Sequence, residues 1–416
     1  MKKLPLLLLA LLCLVLSNCK KGIDPNTPDI EPDIDPKITA LTDSLTALYN
    51  ASVLPGFAVT VVKKGEILYQ EAFGQANVEK EVKYTNETTQ PIGSVSKTFI
   101  GAALMKAIEQ GHFTLETPVL DILPFQVIHP HKPYEQIRIK HLITHTSGFE
   151  DSDENYELQY YIKNGENALL PTVQVIQSYG VTFSDGIPLG DYLEAVFDEA
   201  GVLYDEDNYI EEGPGKVYEY SNIAASLAAY LIEVKTGQTY VNYVKEYILD
   251  PLGMKNTAFD RSELDQNSLA TLYVSKEYPL PEYSHPSYPD GFISTSNKDM
   301  SLYLIEMIKG AAGNGTILSK ESYQTLFSRQ SPEGMEAGEI HAVFWDLPSD
   351  GRIEHNGGDP GVVAVLSFNP ITSAGYFVMT NINDGGIGGD LGVDGSVSIK
   401  QLFEISHFVA EFEGTD

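Results

Sequence analysis

The 416-residue sequence predicts an α+β fold: one antiparallel sheet flanked by helices, with a largely helical region, about residues 100–310, inserted between N- and C-terminal strands. Three observations carry this expectation. Apolar, β-branched runs bounded by turn residues occur at 57–74 and return only beyond 340. The stretch between them is mostly helical in spacing and rich in loops. Helical patterns also stand before the first strand and after the last, where they can cover a sheet.

The elements follow in chain order. "MKKLPLLLLALLCLVLSNCKKG" opens with Lys2 and Lys3, then an apolar run from Leu4 to Leu16. That run is short for a membrane span and has the place and length of a signal-peptide core. It ends at Leu16-Ser17-Asn18-Cys19, which resembles a bacterial lipobox. Residues 1–18 are thus expected to be a lipoprotein signal peptide, with Cys19 the lipid-bearing first residue of the mature chain. An ordinary secretory signal cleaved nearby is the alternative. On either reading the protein is exported, and on the first it is a membrane-tethered lipoprotein facing the periplasm or cell surface. Cys13 and Cys19 are the two cysteines, so the domain beyond them has no thiol for a disulfide, a nucleophile or a metal. Residues 19–36, with Pro and Asp in near-repeat, read as a disordered acidic tether.

The folded domain is expected over 37–416. Asp35-Pro36 is a helix start, an N-cap with proline at the first helical position, and Ile38, Leu41, Leu45, Leu48 and Tyr49 follow at helical spacing. "FAVTVVKKGEILYQEAFG" is two strands hinged at Lys63-Lys64-Gly65. "PIGSVSKTFIGAALM", 91–105, starts an apolar helix that ends near Gly111. Late strand signals are "HAVFWDL" from 341, "GVVAVLSF" from 361 and "GYFVMTN" from 375, the last two joined through Asn369–Ala374 as a hairpin. An amphipathic helix over Val397–Phe412 closes the chain. The formal charge of -31, with no basic run to offset it, repels phosphate backbones and excludes a nucleic-acid partner.

Three short motifs can carry chemistry. Ser94 and Lys97 are three apart, on one helix face, so the amine reaches the hydroxyl. A serine becomes a nucleophile only when a base takes its proton. A lysine is that base when its surroundings lower its pKa. The helix N-terminus favours a developing anion, and Gly93 leaves room for a ligand's backbone. Ser17 and Lys20 share the S-x-x-K pattern inside the signal, so spacing alone decides nothing. Tyr220 and Asn222 stand just before an apolar helix ending at Gly237. Tyr84-Asn86 and Tyr240-Asn242 repeat their spacing without that context. His355-Asn356-Gly357 is the single H-x-G. In a strand, His355 and Gly357 face one side, and Gly357 with Gly358 lets a substrate backbone lie against the edge.

S-x-x-K, then "HTSG" at 145–148, then Y-S-N, then H-x-G before a hairpin: in this order the motifs resemble the serine β-lactamase-like hydrolases. That family holds class C β-lactamases, D-Ala-D-Ala carboxypeptidases, D-aminopeptidases and esterases, and the resemblance spans roughly residues 38–412. It implies the β-lactamase/transpeptidase-like fold and an acyl-enzyme on Ser94. Lys97 and Tyr220 would share acid–base work, and Asn222 would orient the substrate amide or Lys97. The N–H groups of Ser94 and Gly358 would form an oxyanion hole. His355 stands where class C β-lactamases carry the lysine of K-T-G; it would support Tyr220 and contact the far end of the substrate. A histidine there gives a weaker, pH-dependent positive field, as in the H-x-G carboxypeptidases, aminopeptidases and esterases. The expected partners are a small peptide, ester or β-lactam, with D-amino-acid peptides of the cell wall first and small esters second. A β-lactamase, or a non-catalytic penicillin-binding-like sensor on the same fold, is the alternative.

No metal and no cofactor is expected. His141 and His145 have the spacing of a metal pair on a helix, but Leu142 breaks the H-E-x-x-H pattern, and His145 belongs to the HTSG turn. "GGIGGDLG" is one copy of a repeat that must stack. Asp151, Asp153 and Asn155 begin like an EF-hand loop that fails at Tyr156 and Ile162. The acidic, Tyr-rich stretch 150–213 either overhangs the site and sets specificity or is a solvated insertion.

Overall fold

The structure, a computed structural model, describes residues 35–414 apart from Ala337. Cys19, the signal segment and nearly all of the tether lie outside the described residues.

Six strands make the main sheet: β1 (Gly56–Lys63), β2 (Glu66–Asn77), β3 (Val82–Lys83), β4 (Ile353–Asp359), β5 (Val362–Asn369) and β6 (Ala374–Thr380). Their spatial order is β4-β5-β6-β1-β2-β3, antiparallel throughout. β1 therefore pairs with its hairpin partner on one side and with the last strand on the other, from Phe57 opposite Thr380 to Lys63 opposite Ala374.

Alternation along β1 explains why nearly every residue in it is buried. Phe57, Val59 and Val61 pack with Val365 and Val378 under two terminal helices, α1 (Pro36–Ala51) and α5 (Ser396–Glu413), through Leu41, Leu45, Leu402, Ile405 and Val409. Ala58 and Val62 point the other way, into the larger core. There Leu366, Phe377 and Met379 meet the central helices α2 (Ser96–Glu109), α3 (Asn222–Thr236) and α4 (Asn297–Ala311). A sheet covered on both faces loses its hydrophobic/polar alternation and reads as continuous apolar runs. The α1 start is as expected: the Asp35 side chain accepts from the Lys37 N–H at 2.9 Å, with Pro36 inside the first turn.

The expected strand over 341–347 is absent. His341–Leu347 holds only isolated bridges from His341 to Asp346 and from Asp346 to Glu354. The run folds back on itself: the Ala342 N–H donates to the Trp345 carbonyl at 2.8 Å, and Phe344 takes φ 55. Its apolar residues fill the core instead, with the Val343 carbonyl against Gly101 of α2, where an added Cβ would stand 2.5 Å away. The edge strand is β4, the H-x-G segment. The middle region is largely helical, but it carries a small sheet of Thr182–Ser184, Tyr161–Lys163 and Tyr283–Ser284.

Candidate active site

Ser94 lies in a single 3₁₀ turn, Gly93–Val95, that runs straight into α2. Gly93 has φ +54, and a Cβ there would stand 2.7 Å from the Gly358 nitrogen. A Cβ on Gly357 would stand 2.0 Å from the Ile92 carbonyl oxygen and 3.1 Å from the Ser94 nitrogen. The serine turn and the β4 edge thus meet backbone to backbone, a contact that side chains at 93 or 357 would prevent.

Lys97 sits in the first turn of α2 and is completely buried. Its Nζ donates to Ser94 Oγ at 3.0 Å, to Asn222 Oδ1 at 2.6 Å and to the Asp290 carbonyl at 3.1 Å. The three acceptors fix the amine beside the serine hydroxyl. Asn222 is the first residue of α3, and Asp151 holds that helix start. The Asp151 carboxylate accepts from Ser221 Oγ at 2.7 Å and from the Asn222 N–H at 2.6 Å. The Asp290 side chain accepts from Tyr156, Ser226 and Ser287 at 3.1, 3.2 and 2.6 Å. Burial pushes its pKa up to about 6, against the pull of the Lys97 charge.

The Lys97 amine also lies 5.0 Å from the centre of the Tyr220 ring. The other neighbour of that ring is His145, centroid to centroid 4.3 Å. His145 is in the left-handed region (φ 52), outside the short helix Ile139–Leu142, so it makes no helical pair with His141. Its Nδ1 accepts from the Ser221 N–H at 3.2 Å. Burial holds its pKa well below the ordinary value, so it is a neutral ring. Among the described residues no cluster has the makings of a metal site.

His355 is on β4, opposite Leu366, and its ring faces the interior, where Nδ1 lies 2.7 Å from the Asn356 carbonyl. Burial lowers its pKa, and Asp346 opposes that. Asp346 binds His341 Nδ1 at 2.8 Å, and Tyr218 stacks on His341 at 4.8 Å.

A cavity of about 720 Å³ opens over this group. Ser94, Tyr220, Asn222 and Gly358 line it; His355 and Gly357 do not. The acidic, Tyr-rich stretch forms a wall, through Asp153, Tyr156, Glu157, Tyr160 and Tyr179 among others. That segment is therefore part of the site rather than a solvated insertion. Asp151, Asp290 and Asp359 are the site residues that sequence reasoning missed. No spacing rule connects them to Ser94, although Asp151 stands at the head of the run that begins like a calcium loop.

The Beta-lactamase family profile matches residues 41–390. Among curated proteins, Protein flp of Staphylococcus aureus (strain MW2) is 25% identical over 335 residues, covering 79% of this chain and 60% of that protein. The chain thus spans about 60% of the length of the first such relatives. The Putative penicillin-binding protein PbpX of Bacillus subtilis (strain 168) is 25% identical over 341 residues, covering 79% of this chain and 72% of PbpX. Among solved structures, the octameric penicillin-binding protein homologue from Pyrococcus abyssi superposes with a TM-score of 0.66 at 23% identity, over 90% of this chain and 80% of that one. The likeness in fold covers 90% of this chain, and the family match spans every motif from Ser94 to Gly358. This chain belongs to the beta-lactamase family, within the serine β-lactamase and penicillin-binding-protein superfamily.

Proposed function

We propose that this protein is a serine hydrolase that forms an acyl-enzyme on Ser94 and acts on amides or esters. One observation carries the reading: the Lys97 amine lies 3.0 Å from Ser94 Oγ on the wall of an open cavity. Ser94 Oγ attacks the substrate carbonyl while its proton passes to Lys97 in its neutral amine form, or to Tyr220 as the phenolate. The N–H groups of Ser94 and Gly358 face the developing oxyanion, each contributing about 3 kcal/mol in comparable sites. Asn222, held by Asp151, keeps Lys97 aimed at the serine. Collapse of the tetrahedral intermediate expels the amine or alcohol, which takes that proton back from the same group. Water, losing a proton to it in turn, then releases the acyl group and returns the proton to Ser94. The substrates we favour are D-amino-acid peptides of the cell wall, then small esters, and the export signal with Cys19 as lipid attachment fits that setting.

The test is the intact mass of the protein after a fluorophosphonate, beside Ser94→Ala. One adduct on the wild type and none on a folded variant is expected. Full ester turnover by Ser94→Ala would sink the proposal. A single acylation burst without turnover would favour the penicillin-binding sensor instead.

A further inference from the structure

We infer that the cavity beside Ser94 contains a site for a primary ammonium group, with the Asp359 carboxyl as its anchor and tyrosine rings as its walls. The inference rests on Ser94 as nucleophile and adds what the substrate carries: a free amine close to the scissile carbonyl.

Asp359 ends β4 directly after Gly358, and both line the cavity. Its side chain is only 8% exposed. Oδ1 accepts from the Tyr160 hydroxyl at 3.0 Å. Oδ2 is buried and has no hydrogen-bond partner among the described residues. The Tyr283 hydroxyl faces the same carboxyl but is committed to the Pro360 carbonyl, at 2.5 Å. Buried polar atoms are nearly always paired, and each exception needs a cause. A missing donor supplied by the ligand is a sufficient one. Gly291 lines the cavity beside both groups: a Cβ built on it would stand 3.9 Å from Asp359 Oδ2 and 3.9 Å from the Gly93 Cα. The carboxyl and the turn that bears Ser94 therefore lie on one side of the same cavity, with Gly291 between them.

Charge and aromatic content agree on the sign of the ligand. Asp153, Glu154, Glu157, Asp290 and Asp359 line the cavity, and no lysine, arginine or histidine is among its described lining residues. Such a wall attracts cations and repels a substrate carboxylate. Tyr156, Tyr160 and Tyr283 follow one another at ring separations of 6.0 Å and 6.0 Å, and aromatic faces bind cations. An orphan carboxyl oxygen wants an N–H, which selects a primary ammonium over a quaternary one. Burial, which pushes Asp359 up to about 8, makes its charge costly until a cation arrives to balance it.

The experiment compares the p-nitroanilides of D- and L-alanine with their N-acetyl forms, with p-nitrophenyl acetate as an amine-free control. The free amine should raise kcat/KM about ten- to hundredfold, the worth of one charged, buried hydrogen bond. Asp359→Asn, which keeps the Tyr160 acceptor, should bring that ratio toward one. Turnover of p-nitrophenyl acetate with no preference for the amine would overturn the ammonium site and leave the hydrolase reading standing. Binding is read separately from catalysis. Propylammonium should raise the Tm of the wild type more than propionate or tetramethylammonium at equal ionic strength, and should do so less in Asp359→Asn. Equal shifts for the three ions, or an undiminished shift in the variant, would also overturn it.

Discussion

Replacing Asp359 by asparagine should change how stability depends on pH. The folded-state pKa is about 8 against an ordinary 3.8, with burial the main cause and the Tyr160 hydrogen bond opposing it. A raised acid holds its proton in the folded state at a pH where the unfolded chain has lost it. The folded protein therefore binds more protons between those two values, and stability falls as pH rises through that window. Below it both states are protonated and the group is neutral to stability; above it the whole penalty applies. At about 1.4 kcal/mol per unit over about four units, the penalty is on the order of 5 kcal/mol. Asparagine does not titrate and keeps an oxygen for Tyr160. The variant should gain on the wild type steadily from about pH 4 upward and exceed it by several kcal/mol near pH 9. Asp290, raised to about 6 chiefly by burial and further by Asp151, moves in the same sense, but it is present in both proteins. Urea unfolding at a series of pH values measures the difference directly. Parallel profiles, or a wild type that gains on the variant as pH rises, would refute the reasoning.

Lys97→Met should lower kcat/KM on an ester by about a thousandfold, the usual scale of a lost acid–base group, and steady-state rates decide it. Asp151→Ala removes the acceptor of the Ser221 and Asn222 contacts and should cost about 2 kcal/mol in urea unfolding. It should also depress activity, because Asn222 then loses its hold on Lys97. Gly357→Ala places a Cβ 2.0 Å from the Ile92 carbonyl. It should force the serine turn off the strand edge and abolish fluorophosphonate labelling, with near-native circular dichroism as the control.

Much of the fold is legible because its signals are local. The Asp35-Pro36 cap, the Lys64-Gly65 hinge and the helical spacing of Ser396–Glu413 each depend on neighbours in sequence. "HAVFWDL" misled because a short apolar run says only that it is buried, not whether it is extended. Ser94, Lys97, Tyr220 and Asn222 stand in recognisable patterns, and the fold gathers them. Asp290 and Asp359 carry no such mark. Each acquires its character from burial among residues far away in the chain, and desolvation cannot be read from a one-dimensional pattern. The neutral ring of His145 against Tyr220 is likewise a product of packing.

The pairing of β1 with β6 ties the earliest strand to one made more than three hundred residues later. Contacts of such sequence separation form slowly, since a long loop must close before they repay its entropy. Until β6 arrives, β1 has an open edge, and until β4 arrives the Ser94 turn has no strand beside it. A chain still being synthesised thus holds its serine and lysine but lacks the β4 edge that packs against the Ser94 turn. The site is therefore complete only once the final sixty or so residues are in place, and a partly made chain holds the serine turn without its neighbouring strand.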